Sequence, residues 1–378
     1  MTEKAIVHRG ASGMRRIRSR ARAFARTAGA LLVQGSVLAL WGMGLARGQE
    51  TSPRQIDLGA RGAIHVTLNG ASSGDRLEIV RVADVNGDGV EDAVVAGRLA
   101  NGPEGFRFDA GGVFIVLGGV DVIRGTTRDL HDRADIVIHG ADANDRLGTS
   151  LAVGDVNGDG LDDIIASAAT SSQPRGERLF AGTVYAIFGS REWTSGVARD
   201  LSNPRDADLT ILGPGLLSFF GFQLAVGDVN GDGVPDLVMS APLADGPQGE
   251  RPEAGEVYVI FGGVHLVRGT VRDMIPGSAA GSDVVIFGAT AQDLLGYALL
   301  LADVTGDGVA DLIVSAIQAD GPEKKRPDAG EVYIFFGGMT LASSRIRDVA
   351  GLLAPGPDVV LYGAEAFDEF GAALAAAD

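Results

Sequence analysis

Short apolar runs bounded by glycine and aspartate recur along this chain. Runs of four to five residues with such boundaries predict β-strands, because helices need longer patterns with a period near 3.6. In each of four units one strand precedes an acidic segment, as at Leu151–Gly154 and Leu224–Gly227, and another follows it. The following strands are predicted at Ala93–Ala96, Ile164–Ala168, Leu237–Ser240 and Leu312–Ser315.

Two further apolar segments complete each unit, so every unit is predicted to contain four short strands. An aromatic or leucine residue followed by glycine then opens the next unit, at Leu147-Gly148, Phe220-Gly221, Leu295-Gly296 and Phe370-Gly371. The first of the two segments lies at Gly111–Gly119, Ala181–Ser190, Ala254–Gly263 and Ala329–Gly338. The second lies at Ala134–Gly140, Ala207–Gly213, Ser282–Gly288 and Pro357–Gly363.

The acidic segment of each unit is a nonapeptide with oxygen-bearing side chains at positions 1, 3, 5 and 9 and glycine at positions 4 and 6. The first aspartates of the four segments are 71, 73 and 75 residues apart. This ligand spacing is typical of a calcium loop, in which the carbonyl of position 7 also binds the ion. The predicted metal ligands are Asp84, Asn86, Asp88, Val90 and Asp92; Asp155, Asn157, Asp159, Leu161 and Asp163; Asp228, Asn230, Asp232, Val234 and Asp236; and Asp303, Thr305, Asp307, Val309 and Asp311.

This calcium loop has two alternatives. An EF-hand needs a bidentate glutamate at position 12, where this chain has Val95, Ala166, Met239 and Val314. The segments could instead be ordinary Asp/Asn/Gly-rich turns without an ion. Three carboxylates within nine residues repel one another unless a cation is present, which favours Ca²⁺, with the weakest site at Thr305.

Units of four strands repeated in series predict an all-β fold, a β-propeller whose blades pack side by side. A calcium-binding β-helix is excluded because its repeats are far shorter than 71–75 residues. The propeller is expected over residues 52–378, with blades near 75–140, 147–213, 220–288 and 295–363. Glu369–Asp378 is expected to open a further blade, and Ala63–Gly70 to close a preceding one. The propeller is therefore expected to be incomplete, as a fragment of a longer one.

The motifs within each unit resemble the FG-GAP repeat of the integrin α-subunit propeller and of its bacterial relatives. The third unit matches best, with Phe220-Gly221, Asp228–Asp236 and Ser240-Ala241-Pro242, whereas the fourth has Leu295 for Phe and Thr305 for Asn. The resemblance covers residues 60–378, and the first unit lacks the Phe-Gly step. It implies a β-propeller that binds Ca²⁺ and serves extracellular binding or adhesion.

Residues 1–48 differ from the rest of the chain. Six arginines between Arg15 and Arg26 precede the uncharged segment Thr27–Ala46, a pattern that predicts an export signal. An uncleaved membrane anchor is the alternative, because twenty residues can span a bilayer. In either case the propeller is expected to be secreted, periplasmic or at the cell surface.

The exported part is strongly acidic. Residues 1–50 hold 9 of the 32 Lys/Arg and 2 of the 49 Asp/Glu, which leaves residues 51–378 with a formal charge of −24. This charge argues against nucleic acid as a partner, and against the membrane except through an N-terminal anchor. The absence of cysteine suits an exported protein stabilised by calcium rather than by disulfides.

No catalytic constellation is visible in the sequence, so the chain is predicted not to be an enzyme. The five histidines lack a metal or triad spacing, and Ser167, Ser240 and Ser315 lack a nucleophile elbow and are expected to pack within the blades. The function expected first is a non-enzymatic binding or adhesion module for an extracellular protein or carbohydrate. The alternative is the accessory propeller of a larger secreted enzyme such as a hydrolase. The variable loops at 99–109, 170–180, 243–253 and 318–328 are the candidate binding surface.

Overall fold

A computed structural model describes residues 66–69, 74–119, 126–172, 176–275 and 281–376 of the protein. The described residues form a nearly all-β fold of four sheets with four or five strands and one sheet with two strands. The predicted export signal at 1–48 lies outside the described residues. Among the residues that are described, no helix has the length and apolar character needed to cross a membrane.

The strands follow one another in four similar units. The first ten are β1 (Val66–Asn69), β2 (Leu77–Ala83), β3 (Asp92–Gly97), β4 (Gly112–Val116), β5 (Thr126–Asp129), β6 (Ile136–His139), β7 (Leu151–Gly154), β8 (Asp163–Ala168), β9 (Thr183–Ile187) and β10 (Val197–Asp200). The others are β11 (Leu209–Leu212), β12 (Leu224–Gly227), β13 (Asp236–Ala241), β14 (Glu256–Ile260), β15 (Thr270–Asp273), β16 (Val284–Phe287), β17 (Leu295–Ala302), β18 (Asp311–Ala316), β19 (Glu331–Phe335), β20 (Ile346–Asp348) and β21 (Val359–Tyr362). The short helices are α1 (Leu130–Arg133), α2 (Met339–Ala342) and the 3₁₀ turns Pro103–Gly105, Pro247–Gly249 and Pro322–Lys324.

Each blade is an antiparallel meander of four strands, and the acidic nonapeptide joins its first strand to its second. The first blade runs β2-β3-β4-β6, the second β7-β8-β9-β11, the third β12-β13-β14-β16 and the fourth β17-β18-β19-β21. Short strands suffice because the blades bury apolar faces against their neighbours. The β-propeller class predicted from the repeats is confirmed.

A fifth strand extends three of these sheets, which the sequence pattern did not predict. The strand comes from the following unit and runs parallel to the fourth strand of the blade: β10 lies along β6, β15 along β11 and β20 along β16. The two-stranded sheet of β1 and β5 has the same parallel arrangement. Each unit therefore gives four strands to its own blade and one to the blade before it.

The Phe-Gly step docks on a glycine at the start of the third strand. Phe220 is fully buried and its backbone N–H donates to the carbonyl of Ala181 (3.0 Å). A Cβ on Gly182 would lie 2.1 Å from the Phe220 carbonyl oxygen, and Gly182 has a φ of +83°. Only glycine permits this close approach of two backbones. The same contact recurs between Gly111 and Leu147, Gly255 and Leu295, and Gly330 and Phe370.

The hydrophobic core consists of layers between successive blades. Each layer contains a fully buried isoleucine from the fourth strand of one blade and a buried tyrosine from the third strand of the next blade. Burying one such side chain stabilises the fold by about 1.5–3 kcal/mol. The pairs are Ile138 with Tyr185, Ile211 with Tyr258, and Ile286 with Tyr333.

The segment expected to open a further blade does not form a strand. Residues 369–376 are turns and irregular structure, although Phe370 docks on Ala329 (N–H to carbonyl, 2.9 Å) as the equivalent residues do. A strand requires a partner, and β12 finds one in β13, whereas no partner for residues 371–376 occurs within the described ranges. Residues 371–376 therefore form no strand in this structure, and the expectation that the segment opens a further blade stays a prediction.

Candidate metal centres

The backbone of each acidic loop curls around the aspartate at position 1. In the second loop, Asp155 Oδ1 accepts hydrogen bonds from the N–H groups of Gly158 (2.8 Å) and Asp159 (3.0 Å), and Oδ2 accepts one from Gly160 (2.8 Å). Gly158 and Gly160 have φ values of +75° and +85°, which bring three N–H groups toward one carboxylate. The same three bonds occur at Asp84, Asp228 and Asp303.

Positions 3 and 5 are hydrogen-bonded to each other. Asn157 Oδ1 accepts from the N–H of Asp159 (2.8 Å), and Asn157 Nδ2 donates to Asp159 Oδ2 (3.0 Å). The other carboxylate oxygen of Asp159 accepts from the N–H of Leu161 (3.0 Å). The first and third loops repeat this arrangement with Asn86 and Asn230.

The fourth loop differs because threonine occupies position 3. Thr305 Oγ1 donates to Asp303 Oδ1 (3.3 Å) instead of accepting a backbone N–H. Hydrogen bonds from backbone N–H groups, first that of Gly308, hold the pKa of Asp303 below its usual range. The backbone of the fourth loop forms the same three hydrogen bonds to position 1 as the other loops. The loop lacks, however, the amide oxygen that asparagine at position 3 offers as a metal ligand.

The aspartate at position 9 anchors the loop to its blade. Asp163 is fully buried, and its Oδ2 accepts from the N–H of Val156 (3.0 Å) while Oδ1 accepts from the N–H of Gly189 (2.9 Å), just beyond β9. Burial raises the pKa of Asp163 to about 7 against the opposing effect of these hydrogen bonds. Burial likewise raises the pKa of Asp236 to about 6. These carboxylates are costly to ionise unless a positive charge lies nearby.

The side-chain oxygens of the loops are metal ligands of the type that a hard cation prefers. Within the described residues, however, no three acidic or histidine side chains are placed so that they could hold a metal ion together. The reason is visible in the second loop, where Asp155 faces three backbone N–H groups and Asp159 faces Asn157. Asp155 Oδ2 and both carboxylate oxygens of Asp159 accept one hydrogen bond each and therefore retain a lone pair, and every side chain that could bind a cation here offers oxygen. The side-chain oxygens are therefore of the kind that binds Ca²⁺, but in this structure they do not converge on a common point.

The recurrent serines after the loops are structural, as predicted from their repetition. Ser167, Ser240 and Ser315 are fully buried. Their hydroxyl oxygens accept 3.0 Å hydrogen bonds from the N–H groups of Ser150, Gln223 and Ala298, which lie just before or within the first strand of the same blade. A hydroxyl held in this way inside a sheet is not placed to attack a substrate.

Sequence reasoning missed a set of arginines, each of which binds the strand that the following unit adds to its blade. Arg251, which lies at the charged tip of a variable loop, binds Asp348 of the fifth strand through both guanidinium nitrogens (2.6 and 3.0 Å). Arg107 binds Asp200 and Arg178 binds Asp273 in the same way. A signal was present: Arg107, Arg178, Arg251 and Arg326 are separated by the same 71, 73 and 75 residues as the loops.

Comparison with known proteins places three of the units in one repeat family. The FG-GAP repeat family model matches residues 147–187, 220–260 and 295–335. Human phosphatidylinositol-glycan-specific phospholipase D is 32% identical over 232 residues, which are 61% of this chain and 24% of that protein. Integrin alpha-PS2 of Drosophila melanogaster is 31% identical over 199 residues, 50% of this chain and 12% of that protein. The chain spans about a quarter of the length of the phospholipases that it matches.

The similarity to an enzyme corrects the function expected first. A non-enzymatic binding or adhesion module does not account for relatives that are phosphatidylinositol-glycan-specific phospholipases D from human, rat and cow. The alternative, a propeller that belongs to a larger enzyme, accounts for them better. The relatives comprise both an enzyme and the integrins, so the statement that the chain is not an enzyme stays a prediction.

Among solved structures, the rhamnogalacturonan lyase of Bacillus licheniformis aligns at 12% identity and a TM-score of 0.34, covering 68% of this chain and 46% of the lyase. A likeness of this size bears on neither fold nor function. The repeat match and the sheets described above are sufficient for the fold. The chain contains FG-GAP repeats, built as β-propeller blades, and is homologous over these repeats to integrin α subunits.

Proposed function

We propose that this chain is the propeller part of a larger exported hydrolase, and that it holds the enzyme against its substrate rather than carrying out the reaction. The observation that supports this most is the 32% identity to human phosphatidylinositol-glycan-specific phospholipase D, confined to 24% of that protein. The buried, hydrogen-bonded serines of the blades supply no nucleophile. The proposed substrate class is a lipid-linked glycan.

The loops between the second and third strands form the proposed contact surface. They leave the blades at the end of the second strand opposite to the acidic loops, so substrate and metal would occupy different ends of the blades. The first of these loops exposes Phe106 (83% exposed) and Phe108 (64%). Exposed aromatic rings on a rigid scaffold offer apolar faces to the sugar rings of a glycan.

The acidic loops are proposed to bind Ca²⁺ through positions 1, 3, 5 and 9 and the carbonyl of position 7. Calcium would supply the positive charge that the buried carboxylates of Asp163 and Asp236 lack. Calcium outside the cytoplasm is abundant enough to fill loops of modest affinity. This proposal, the basic and apolar pattern of residues 1–48, and the kinds of relatives together support a location outside the cytoplasm.

Vesicles that carry a glycosylphosphatidylinositol-anchored reporter protein test the proposed role. The full chain, in about 1 mM Ca²⁺, should bind reporter vesicles more than plain vesicles without releasing the reporter. The double variant Phe106→Ala, Phe108→Ala should bind less, and the Val264→Ala variant, which changes an exposed residue (84% exposed) away from these loops, should bind normally. Release of the reporter by the chain alone would mean that the repeats carry the chemistry. Equal binding to reporter vesicles and plain vesicles would show that the chain does not recognise the glycan.

The accompanying test concerns the polypeptide as it occurs in the source cells. Mass spectrometry of the protein captured with antibodies against the repeats should find peptides of a hydrolase domain in the same polypeptide. A native polypeptide that consists of repeats alone would overturn the accessory role.

A further inference from the structure

A cavity of about 540 Å³ opens between β10, the loop after β9 and the turn that precedes β15. This volume lies within the range of ligand sites, roughly 300–1,000 Å³. The second and third units form it together, and described residues of the first and fourth units flank them on both sides. The lining residues that carry polar groups are Ser190, Glu192, Trp193, Arg199, Asp206 and Arg268.

The guanidinium of Arg199 has donors that the protein does not use. It lies over the ring of Trp193, with Cζ 5.8 Å from the ring centroid. Nη1 donates a long hydrogen bond to the carbonyl of Asp206 (3.4 Å). Nε is buried and has no hydrogen-bond partner among the described residues. A guanidinium offers five N–H groups, and a buried donor that is left unpaired is costly, so this arginine is suited to an acceptor in the cavity.

The equivalent arginine of the third unit has a carboxylate that Arg199 lacks. Arg272 Nη1 donates to the carbonyl of Gly281 (3.1 Å) and lies 3.8 Å from Asp283 Oδ2. Asp208 is the equivalent of Asp283, because each accepts the N–H of the first residue after the third strand. Arg268 binds Asp208 instead, with Nη1–Oδ1 at 2.8 Å. Two guanidinium groups at the cavity therefore share one carboxylate.

Both arginines are accessible from the cavity. The side chain of Arg268 is 52% exposed, and its pair with Asp208 uses Nη1. Arg199 is partly exposed, and both residues line the cavity. Arg347 shows that an unpartnered Nε is not sufficient for a site. It is the equivalent of Arg199 in the fourth unit and also has an unpartnered Nε, but it is only 3% exposed and so is closed to a ligand.

The other polar groups of the cavity suit hydroxyl groups. Glu192 is exposed at its rim. The carboxylate of Asp206 already accepts the N–H of Asp200 (2.9 Å) and Nδ2 of Asn203 (3.1 Å), so it is held in place beside Arg199. Carboxylates accept hydrogen bonds and repel a second anion, whereas the hydroxyl of Ser190 can donate as well as accept.

We propose that this cavity binds a sugar acid, the hexuronic acid unit of a glycan. The carboxylate of the sugar binds Arg199 and Arg268, and its ring hydroxyls bind Glu192 and Ser190. Hydrogen bonds between a guanidinium and a carboxylate are roughly twice as strong as neutral ones. Sulfate and phosphate carry the charge but few or no hydroxyl donors for the acidic side chains, which favours the sugar acid.

The cavity is separate from the contact surface at the loops between the second and third strands. It lies beside the second acidic loop, whose Asp163 accepts the N–H of Gly189, the neighbour of Ser190. The inference therefore does not depend on the proposed function.

The fluorescence of Trp193 tests the site. The chain has two tryptophans, so the Trp41→Phe variant of the full chain retains Trp193 alone. Methyl glucuronide and methyl glucoside differ only in a carboxylate and a hydroxymethyl group. The glucuronide should change the emission to saturation, and the glucoside should bind about tenfold more weakly, because it lacks the charge-assisted hydrogen bonds. Saturation-transfer NMR with both sugars detects binding independently of Trp193.

Matched arginine variants test the assignment of the residues. Arg199→Met keeps an apolar stem over Trp193 and should weaken glucuronide binding about tenfold. Arg272→Met removes the equivalent arginine of the third unit and should leave binding unchanged. Urea denaturation shows whether both variants are folded. If Arg199→Met does not fold, Glu192→Gln, at an exposed position, should still weaken glucuronide binding.

Three results would overturn the proposal. The first is equal binding of glucuronide and glucoside, which would mean that the carboxylate is not recognised. The second is displacement of the glucuronide by an equal concentration of sulfate, which would make the cavity a general anion site. The third is the absence of glucuronide binding in both the fluorescence and the NMR measurements.

Discussion

Arg251 and Asp348 lie 97 residues apart in the chain and pair where the fourth unit adds its strand β20 to the third blade, with Nη1–Oδ1 at 2.6 Å and Nη2–Oδ2 at 3.0 Å. The Asp348 side chain is fully buried, and it also accepts N–H groups from Ala350 and Leu353. Burial opposes the charge on Asp348, yet the hydrogen bond from Arg251 keeps the pKa of Asp348 below its usual range. The third and fourth units are therefore joined by an ion pair that neither unit forms alone.

Removing Arg251 should destabilise the protein strongly. Arg251→Ala leaves the buried carboxylate of Asp348 without a counter-charge, and the loss of one partner of a buried pair costs about 3–5 kcal/mol. Arg326→Ala removes a hydrogen bond to one carbonyl and should cost about 1 kcal/mol. Urea denaturation of the two variants measures the difference. Equal losses would mean that the pair with Asp348 contributes nothing beyond the bond to the glycine carbonyl.

Most of the fold could be predicted from the sequence because its signals are local. The first four strands of each unit are apolar runs with glycine at their ends, and the loops carry their own turn chemistry. The fifth strands could not be found in this way. They are three or four residues long, as in Thr270–Asp273 (TVRD), and their partner lies in the preceding unit. Only the matched spacing of the arginines and aspartates carries that information.

The candidate metal centres, too, could be predicted from the sequence only in part. Residue types and spacing could be predicted because they are written in nine consecutive positions. The anchoring of position 9 could not, since Asp163 accepts the N–H of Gly189, which lies 26 residues later in the chain. Position 9 is consequently both a candidate ligand and a structural residue, and substitutions there combine two effects.

The glycine that receives the Phe-Gly step should tolerate no side chain. In Gly182→Ala the new Cβ meets the carbonyl oxygen of Phe220 at 2.1 Å, so the turn that contains Phe220 must move away from the start of β9. Gly176→Ala is the matched control, because Gly176 has a similar φ (+81°) but no atom within 4 Å of the place that a methyl group would occupy. The control should lose about 1–2 kcal/mol from backbone strain, and Gly182→Ala clearly more. Thermal unfolding, monitored by circular dichroism, measures the loss of stability in both variants. An equal loss in Gly176→Ala and Gly182→Ala would contradict the role of the contact with Phe220.

Chelation of calcium should lower the melting temperature of the protein. Binding stabilises the folded state by RT ln(1 + [L]/Kd), about 2.7 kcal/mol for each site at a hundredfold excess over Kd. Asp159→Ala should reduce the response to calcium, whereas Glu323→Ala, which changes an exposed residue (73% exposed), should leave it unchanged. Calorimetric titration should find four sites, with that of Thr305 the weakest. An identical melting curve with and without chelator would mean that the loops are turns without an ion.

Glu256 should make the third blade less stable at alkaline pH. The Glu256 side chain is buried beside Tyr258, whose hydroxyl donates to it, and burial raises the pKa of Glu256 to about 7, with a further contribution from Asp245. The folded pKa lies above the unfolded value of about 4.3. The folded protein therefore binds the proton more tightly, and this contribution to stability is full below about pH 4.3 and is lost as the pH rises through 7.

Glu256→Thr tests this directly, because the second blade has Thr183 at the equivalent position. The variant should be less sensitive to pH than the wild-type protein, with a relative gain on the order of 3 kcal/mol between about pH 4 and pH 8. Taking the difference between variant and wild type removes the contribution of other buried carboxylates, such as Asp145 and Asp293, whose pKa burial also raises to about 7. Free energies of unfolding in urea at the two pH values provide the measurement. Parallel pH profiles for the two proteins would show that Glu256 titrates normally in the folded state.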